Sequence, residues 1–240
     1  MPGSLKTEAI VLRGIRYGEA DRILHLYTPE RGRVSAIAKG VRRAKSRFGG
    51  RLEPFFRLNL VLYQGKSDLM TVTSAETIAG HPRLRESGAA IDGAARACDA
   101  VSRLFGDGEP HAGVYHLLAN QLALIDRDPE RATRATALAF RLKLLLAAGF
   151  APHLASCASC GEPEHLVGFS GAAGGVVCAA CEAGSFSLSQ DGHDFLVGAL
   201  GRSLADVPDA SPAALAQADR AISETLEHHA HVRLRGVGSR

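Results

Sequence analysis

The alternation of apolar and polar positions predicts that the first third of the chain is built from strands. Apolar side chains at positions 56, 58, 60 and 62 alternate with Arg57 and Asn59, the two-residue period of a strand with one buried face. The predicted strands are Leu5–Ile15, Asp21–Thr28, Arg33–Lys39, Phe56–Leu62 and Leu69–Ile78, with a hairpin turn at residues 64–68. Five short strands joined by turns are typical of a small antiparallel barrel or sandwich, and the OB-fold is a barrel of this size.

After His81 and Pro82 the apolar residues recur every three or four positions, which predicts helices. Asp128 followed by Pro129 is typical of a helix start, and Gly149 of the left-handed residue that follows a helix end. The predicted helices cover residues 87–105, His111–Ile125, the span from Asp128 to Gly149, Asp194–Leu204 and a segment after Ser211. The charged residues of the third helix are expected on a solvated face, and they are Arg131, Arg134, Arg141 and Lys143.

The composition is that of an ordinary globular protein. The chain is 46% hydrophobic and 22% charged, and its 240 residues suffice for two or three small domains or one large one. Glu8 and Arg13 interrupt any apolar core of a secretory signal. The most apolar stretch, Ala137–Ala151, contains Arg141 and Lys143 and is too short to span a bilayer. We therefore expect a soluble, cytoplasmic protein with no membrane partner.

Positive charge is concentrated towards the N-terminal end of the chain. Residues 1–80 carry 14 Lys and Arg against 7 Asp and Glu, whereas residues 151–240 carry 5 against 10. Much of the surplus lies in residues 39–51, named here the basic segment, which contains no acidic residue. The cations of the basic segment are Lys39, Arg42, Arg43, Lys45, Arg47 and Arg51.

The basic segment is predicted to be a mobile loop that binds a polyphosphate backbone. Gly49 and Gly50 permit backbone angles that other residues avoid, and no apolar period runs through the segment. Because cations without acidic partners repel one another, a polyanion such as nucleic acid would stabilise the arrangement. The alternative is a solvated loop whose charges only confer solubility. Single-strand binding also requires aromatic faces for the bases, and Phe48 is the first candidate and Tyr17 the second.

Four of the five cysteines form two C-x-x-C pairs with 17 residues between them. Each pair offers two thiolates to one tetrahedral ion, and the spacer accommodates a hairpin. Since four thiolates leave no ligand position for water, we predict one structural Zn²⁺ per chain, bound by Cys157, Cys160, Cys178 and Cys181. A redox-active pair is the competing interpretation. A zinc deaminase is excluded, because Val176 and Val177 precede the second pair where that class requires proline.

No other cluster of residues predicts catalysis. The stretch Gly65–Ser67 imitates the end of a phosphate-binding P-loop, but Leu60 occupies a position where that loop requires glycine. The histidines at 228, 229 and 231 have no carboxylate to complete a metal site, and Cys98 is expected to be buried as a small apolar side chain. We therefore expect that the protein is not an enzyme.

Two stretches of the chain resemble the RecO family of recombination mediator proteins. They are AIVLRGIRYGEADRILHLYTPERGRVSAIAKGVRR (Ala9–Arg43) and LEPFFRLNLVLYQGKSDLMTV (Leu52–Val72). The cysteine set is similar to the zinc site that many members carry. The resemblance implies an α+β multi-domain protein with an OB-fold DNA-binding domain at residues 1–80. It also implies a mainly helical domain at residues 81–240, with a zinc ribbon-like element inserted at residues 155–185.

The resemblance further implies a function. Proteins of this family bind single- and double-stranded DNA and anneal complementary strands. With RecR, they help to load RecA onto DNA that is coated by single-strand-binding protein. We therefore expect a nucleoid-associated recombination mediator whose basic segment contacts phosphates. The alternative is a zinc-containing protein-interaction adaptor that binds nucleic acid only incidentally.

Overall fold

The computed structural model describes residues 3–67 and 69–237, which group into two compact units, 1–129 and 130–240. The first unit contains β1 (Gly3–Tyr17), β2 (Asp21–Thr28), β3 (Gly32–Ala38), β4 (Arg57–Gln64), β5 (Met70–Ala79), α1 (Gly88–Leu104) and α2 (Ala112–Arg127). The second contains α3 (Arg134–Ala147), β6 (Leu166–Ser170), β7 (Gly175–Cys178), β8 (Phe186–Ser187), α4 (Gln190–Gly201) and α5 (Pro212–Thr225). Within the described ranges, no helix is long and apolar enough to cross a membrane.

The five strands of the first unit form a closed barrel in the order β1-β2-β3-β5-β4. Neighbouring strands are antiparallel except β3 and β5, which pair in parallel at residues 36–37 and 70–71. This arrangement is an OB-fold, so the predicted five-stranded barrel is confirmed. The predicted turn at residues 64–68 is present as far as Ser67, and Asp68 lies outside the described residues.

The interior of the barrel is filled by side chains that alternate along the strands. In β4, Leu58, Leu60 and Leu62 are buried in this core, as their two-residue period predicts. In β1 the alternation changes, because the pairing with β2 is interrupted by a bulge between Val11 and Arg13. Beyond the bulge, odd-numbered residues of β1 lie on the outer face of the sheet instead of the inner face.

A polar cluster joins α2 to the wall of the barrel. The hydroxyl group of Tyr115 donates a hydrogen bond to Glu8 Oε2 at 2.8 Å, and Arg57 Nη2 donates to the same oxygen at 2.7 Å. The hydrogen bond from Arg57 is the main reason why the pKa of the Glu8 carboxyl group is lowered. The Glu8 carboxylate of β1 therefore connects Arg57 of β4 with Tyr115 of α2.

His81 lies at the junction between the barrel and its helices and has a left-handed backbone conformation, with φ at 50°. The side chain is buried, and its Nδ1 lies 3.8 Å from Asp126 Oδ2 of α2. The other oxygen of Asp126 accepts a hydrogen bond from the Leu84 backbone N–H at 3.0 Å. Burial lowers the pKa of His81, and the attraction to Asp126 offsets only part of this shift.

In the second unit, α3 begins later than the sequence predicts. The Thr133 side chain caps the helix by accepting a hydrogen bond from the Thr136 N–H, whereas residues 129–131 form a separate 3₁₀ turn. The predicted start at Asp128 is therefore wrong, because the N-cap is supplied by Thr133, five residues further along the chain. The predicted end is confirmed, since Gly149 follows the helix with a φ of 81°.

The expectation of a solvated face on α3 is also wrong. Arg141 is buried, and Arg134 Nη2 donates to Asp219 Oδ2 of α5 at 3.2 Å. Lys143 Nζ donates to the Leu200 carbonyl oxygen of α4 at 2.9 Å, and burial lowers the pKa of Lys143. These charges hold α3 to its neighbours, whereas Arg131 is exposed. The periodicity of one helix could not reveal that its charged side chains have partners on helices that are distant in the sequence.

The change from strands to helices falls at residue 80, where the sequence predicts a domain boundary, but the compact units divide after Pro129. The barrel and the first two helices therefore belong to one unit, which the polar cluster at Glu8 holds together. The cysteine-containing region lies wholly in the second unit, where β6, β7 and β8 form a small sheet.

Replacement of His81 by Asn is expected to reduce the loss of stability on acidification. The unfolded chain takes up a proton on histidine near pH 6.5, whereas the buried ring resists protonation, so the first unit is destabilised as the pH falls below about 6.5. Asn also tolerates the left-handed backbone. Denaturant unfolding at pH 7.5 and 5.5 measures the difference.

The control is His116→Asn, which replaces an exposed histidine of the same unit. The control should retain the pH dependence of the parent, to which His25 also contributes. Equal pH dependence in the parent and in His81→Asn would contradict the assignment.

Candidate nucleic-acid interface and metal centre

The basic segment and the residues that follow it are a succession of tight turns between β3 and β4. Backbone hydrogen bonds of the i to i+3 type recur along it, from Arg43 N to Gly40 O, Ser46 N to Arg43 O and Gly49 N to Ser46 O. Gly40 and Gly49 have φ values of 68° and 55°, which glycine adopts without a Cβ penalty. The segment therefore has a defined turn structure, and its mobility stays a prediction.

Two apolar side chains anchor this segment inside the barrel. Phe48 is 2% exposed and belongs to the core together with Leu52. No face of the Phe48 ring is available to a nucleic-acid base, so Phe48 is withdrawn as a stacking candidate. The sequence offered one signal for this arrangement, since Phe48 and Leu52 are four positions apart in an otherwise polar stretch.

All six cations of the basic segment are exposed. Within the part of the chain that the structure describes, none of them forms a salt bridge with a carboxylate. Their hydrogen bonds go to backbone oxygens instead, as from Arg42 Nη1 to Glu19 O at 3.2 Å and from Arg51 Nη1 to Phe48 O at 3.3 Å. The Arg47 guanidinium group lies 4.8 Å from the centre of the Phe48 ring. The cluster therefore retains its positive charge, which an anion can neutralise.

The structure places Tyr17 beside the basic segment. Tyr17 ends β1 and is 54% exposed. The turn that follows it is bound to the basic segment through hydrogen bonds from Arg42 N to Ala20 O at 2.9 Å and from Gly40 N to Asp21 Oδ1 at 2.8 Å. Of the two predicted stacking residues, Tyr17 is thus the one with an accessible ring.

The four predicted metal ligands lie together. Their sulfur atoms are all within 4.8 Å of one another, and Cys160 Sγ is 3.7 Å from Cys178 Sγ. An ion with metal–sulfur bonds of about 2.3 Å in tetrahedral geometry requires sulfur separations of about 3.8 Å. Disulfide bonds are much shorter, at about 2.05 Å. The cluster Cys157, Cys160, Cys178 and Cys181 therefore has the size of a site that can hold a metal ion.

The local fold explains how the cysteines converge. The first pair is in a turn in which Gly161 N donates to Cys157 O at 2.8 Å, and Gly161 has a φ of 82°. The second pair starts at the end of β7, and Ala179–Cys181 forms a 3₁₀ turn. The antiparallel pairing of Leu166 with Cys178 connects β6 to β7. The first pair, which precedes the hairpin, lies against β7 through the hydrogen bond from Ala158 N to Val176 O at 2.8 Å, so the two pairs come together as their spacing predicts.

The pKa values of the clustered thiols also favour a bound cation. Backbone N–H groups, that of Cys178 foremost, lower the pKa of Cys157 to about 6. Hydrogen bonds with the thiols of Cys160 and Cys178 raise the pKa of Cys181 to about 12. Four neighbouring sulfurs cannot all ionise without a positive charge between them, and a divalent ion supplies that charge.

Comparison with known sequences accounts for almost the whole chain. Residues 1–81 match the family model described as "Recombination protein O N terminal", and residues 85–236 match "Recombination protein O C terminal". The chain belongs to the RecO family.

Similar members of the RecO family carry the name "DNA repair protein RecO". The protein from Rubrobacter xylanophilus is 38% identical, in an alignment that covers 98% of this chain and 93% of the relative. The protein from Anaeromyxobacter sp. (strain K) is 37% identical over 96% and 93% of the two chains. The protein from Cutibacterium acnes is 37% identical over 74% of each.

Replacement of Phe48 by Ala is expected to lower the stability of the first unit. Removing the buried ring leaves a cavity in the barrel core and should lower the free energy of unfolding by roughly 3–5 kcal/mol. Denaturant unfolding of the parent and the variant measures the change.

The control is Tyr63→Ala, because Tyr63 is 46% exposed on the same barrel. This change should stay within about 0.5 kcal/mol. If Phe48→Ala left stability unchanged and selectively abolished single-strand binding, Phe48 would be restored as a base contact.

Proposed function

We propose that the protein acts in DNA repair by binding single- and double-stranded DNA and annealing complementary strands. The observation that carries the proposal is the cluster of six exposed cations, held on a core-anchored segment without carboxylate partners among the described residues. The name of the similar proteins, "DNA repair protein RecO", supports the same conclusion. The residues 1–80 form the DNA-binding domain in this proposal.

Annealing follows from charge neutralisation. Two complementary strands repel through their phosphates, and a dense group of cations on one surface lowers that repulsion. Lys39, Arg42, Arg43, Lys45, Arg47 and Arg51 contact the phosphates, and Tyr17 contacts a base. Hydrogen bonding between the strands then drives the reaction, so no nucleotide-hydrolysing site is required and the protein is not an enzyme.

The proposed partners follow from membership of the RecO family. The protein acts with RecR on DNA coated by single-strand-binding protein, and it helps to load RecA there. This work takes place on the nucleoid in the cytoplasm.

The metal ion is proposed to be Zn²⁺ with a structural role, one per chain. Four thiolates at tetrahedral spacing match the ligand preference of zinc, and a saturated ion has no position for substrate. Cys157, Val177 and Cys178 form a very small core, against which Leu166 and Cys181 pack. Such a core is too small to hold the hairpin together, so the ion stabilises this region.

The first test concerns the basic segment. Binding of the parent to an oligothymidylate should fall with salt with a logarithmic slope of about −4, from roughly 0.7 for each of the six contacts. In the variant Arg42→Glu, Arg43→Glu, Lys45→Glu, the magnitude of the slope should decrease to about 2 or below, because at most three of the six contacts remain. Both the affinity and the annealing without nucleotide should be strongly reduced.

The matched control is Lys6→Glu, Arg83→Glu, Arg202→Glu, which changes the net charge equally at exposed positions elsewhere. The control should bind and anneal almost as the parent does. Equal losses in the two triple variants would assign the effect to net charge, and unchanged binding in the first would refute the proposed interface.

The second test concerns the metal. The purified parent should contain about one zinc per chain by elemental analysis, because a tetrathiolate site binds one ion. Cys178→Ser should lose the ion and expose the second unit to proteolysis or aggregation. Cys98→Ala, which alters the cysteine outside the cluster, should keep the ion. A soluble, protease-resistant and zinc-free Cys178→Ser variant would contradict the structural role.

A further inference from the structure

The four clustered cysteines differ in their access to solvent. Cys157 is 2% exposed and Cys178 is 4% exposed, whereas Cys160 is exposed and Cys181 is half-buried. Each C-x-x-C pair therefore contributes one buried residue and one residue that solvent reaches. A small reagent in solution can thus contact Cys160 while the second unit stays folded.

The turn that carries Cys160 explains this exposure. Its base is fixed at Cys157, whose N–H donates to Glu162 O at 2.7 Å and whose carbonyl oxygen accepts from the Gly161 N–H at 2.8 Å. Cys160 lies beyond this base, towards the tip of the turn, and residues 159–165 are all exposed. The chain therefore directs one ligand of the cluster inward and the next one outward.

The chemistry of the cluster makes an exposed ligand reactive. A cysteine binds a metal ion as a thiolate, and the thiolate is also the form that oxidants attack. Oxidation is reversible where a second cysteine lies close enough to form a disulfide, and Cys178 Sγ lies 3.7 Å from Cys160 Sγ. Cys98 differs, because burial raises the pKa of its thiol to about 12 and keeps it protonated.

We propose that Cys160 is an oxidation site for peroxides, and that its oxidation opens the cysteine cluster reversibly. This inference rests on the proposed metal ion, which holds the four sulfurs as thiolates, and it does not depend on DNA binding. Without an oxidant the ion keeps its structural role. With one, the exposed ligand makes the fold of this region sensitive to the redox state of the solution.

The proposed reaction removes two electrons from the cluster. The Cys160 thiolate attacks one oxygen of hydrogen peroxide, the O–O bond breaks, hydroxide leaves, and Cys160 becomes a sulfenic acid. The Cys178 thiolate then attacks the sulfenic sulfur, a disulfide bond forms, and a second hydroxide leaves. One peroxide is thus reduced to two hydroxide ions. Because two of the four ligands are consumed, the cluster releases the ion.

The opening is confined to the end of the hairpin that carries the cysteines. At the opposite end, the Gly171 N–H donates to Glu224 Oε2 at 3.3 Å, and the Gly171 carbonyl oxygen accepts from His229 Nε2 at 2.8 Å. His153 is bound along β7 through His153 N to Gly174 O and Val176 N to His153 O, both at 2.9 Å. None of these contacts involves a cysteine, so the hairpin stays docked and a thiol reductant can restore the cluster.

The first experiment measures release of the ion. In the zinc-loaded parent, hydrogen peroxide should release about one zinc per chain to a chromophoric chelator, and dithiothreitol with added zinc should restore it. Peptide mapping should find a disulfide between Cys160 and Cys178. Cys98→Ala should behave as the parent does. If peroxide left the metal bound, or if the disulfide lacked Cys160, the proposal would be overturned.

The second experiment uses Cys160→His, because three thiolates and one imidazole still form a tetrahedral zinc site. This variant should keep its zinc and release it roughly tenfold more slowly than the parent at the same peroxide concentration. The matched control is Cys181→His, which has the same ligand set but retains Cys160, and it should release zinc at the rate of the parent. Equal rates in Cys160→His and the parent would contradict the proposal.

The order of oxidation in the parent tests the same site if Cys160→His binds no zinc. A short peroxide pulse with dimedone, which traps sulfenic acids, should label Cys160 before any other cysteine. Equal labelling of the cysteines, or labelling that starts elsewhere, would overturn the proposal. A parent purified without metal would refute the proposed zinc ion instead, and loss of DNA binding would leave all of these measurements unchanged.

Discussion

The burial of Phe48 and Leu52 in the barrel core is the interaction that allows six like charges to lie close together in the basic segment. Cations that repel one another would spread apart on a free loop, where each could find solvent and counterions. Burying a large apolar side chain stabilises a fold by about 1.5–3 kcal/mol. Two such anchors, with the turns around them, hold the segment against the barrel, so the repulsion among its cations remains and a bound polyanion would relieve it.

The topology of the barrel explains why this segment exists. Because β4 pairs with β1 and β5 and not with β3, the chain cannot pass from β3 to β4 through a tight hairpin, and it crosses between them through residues 39–56. A long connection is thus a requirement of the fold. Its side chains are free to serve binding, provided that a few of them fasten the connection to the core. Hydrogen bonds to the turn after β1 add a second attachment.

The parts of this architecture that the sequence reveals are those with a regular spacing. The two-residue period of β4 predicts a barrel strand, and the two cysteine pairs predict a cluster that can hold a metal ion. Both patterns depend on residues that are close together along the chain. Phe48 has no apolar period around it, so its burial depends on distant strands that close over it. The outward turn of Ile15 depends on a bulge, which a one-residue change in pairing creates. Likewise, the sequence predicts that Arg134 and Arg141 are solvated, whereas in the structure both lie close to Asp219 of α5.

Both candidate sites are clusters of like charge that the fold holds together, and the sign of the charge determines what each one binds. Four thiols within 4.8 Å can ionise together only around a cation, and the ion is then enclosed by its own ligands. The six cations are exposed, so an anion could enter and leave. A fully coordinated ion suits a permanent structural role, whereas an open, salt-screened array suits reversible contact with a long polymer. In the proposed function, burial rather than the strength of either charge separates the two sites: Cys157 and Cys178 are buried, whereas all six cations are exposed.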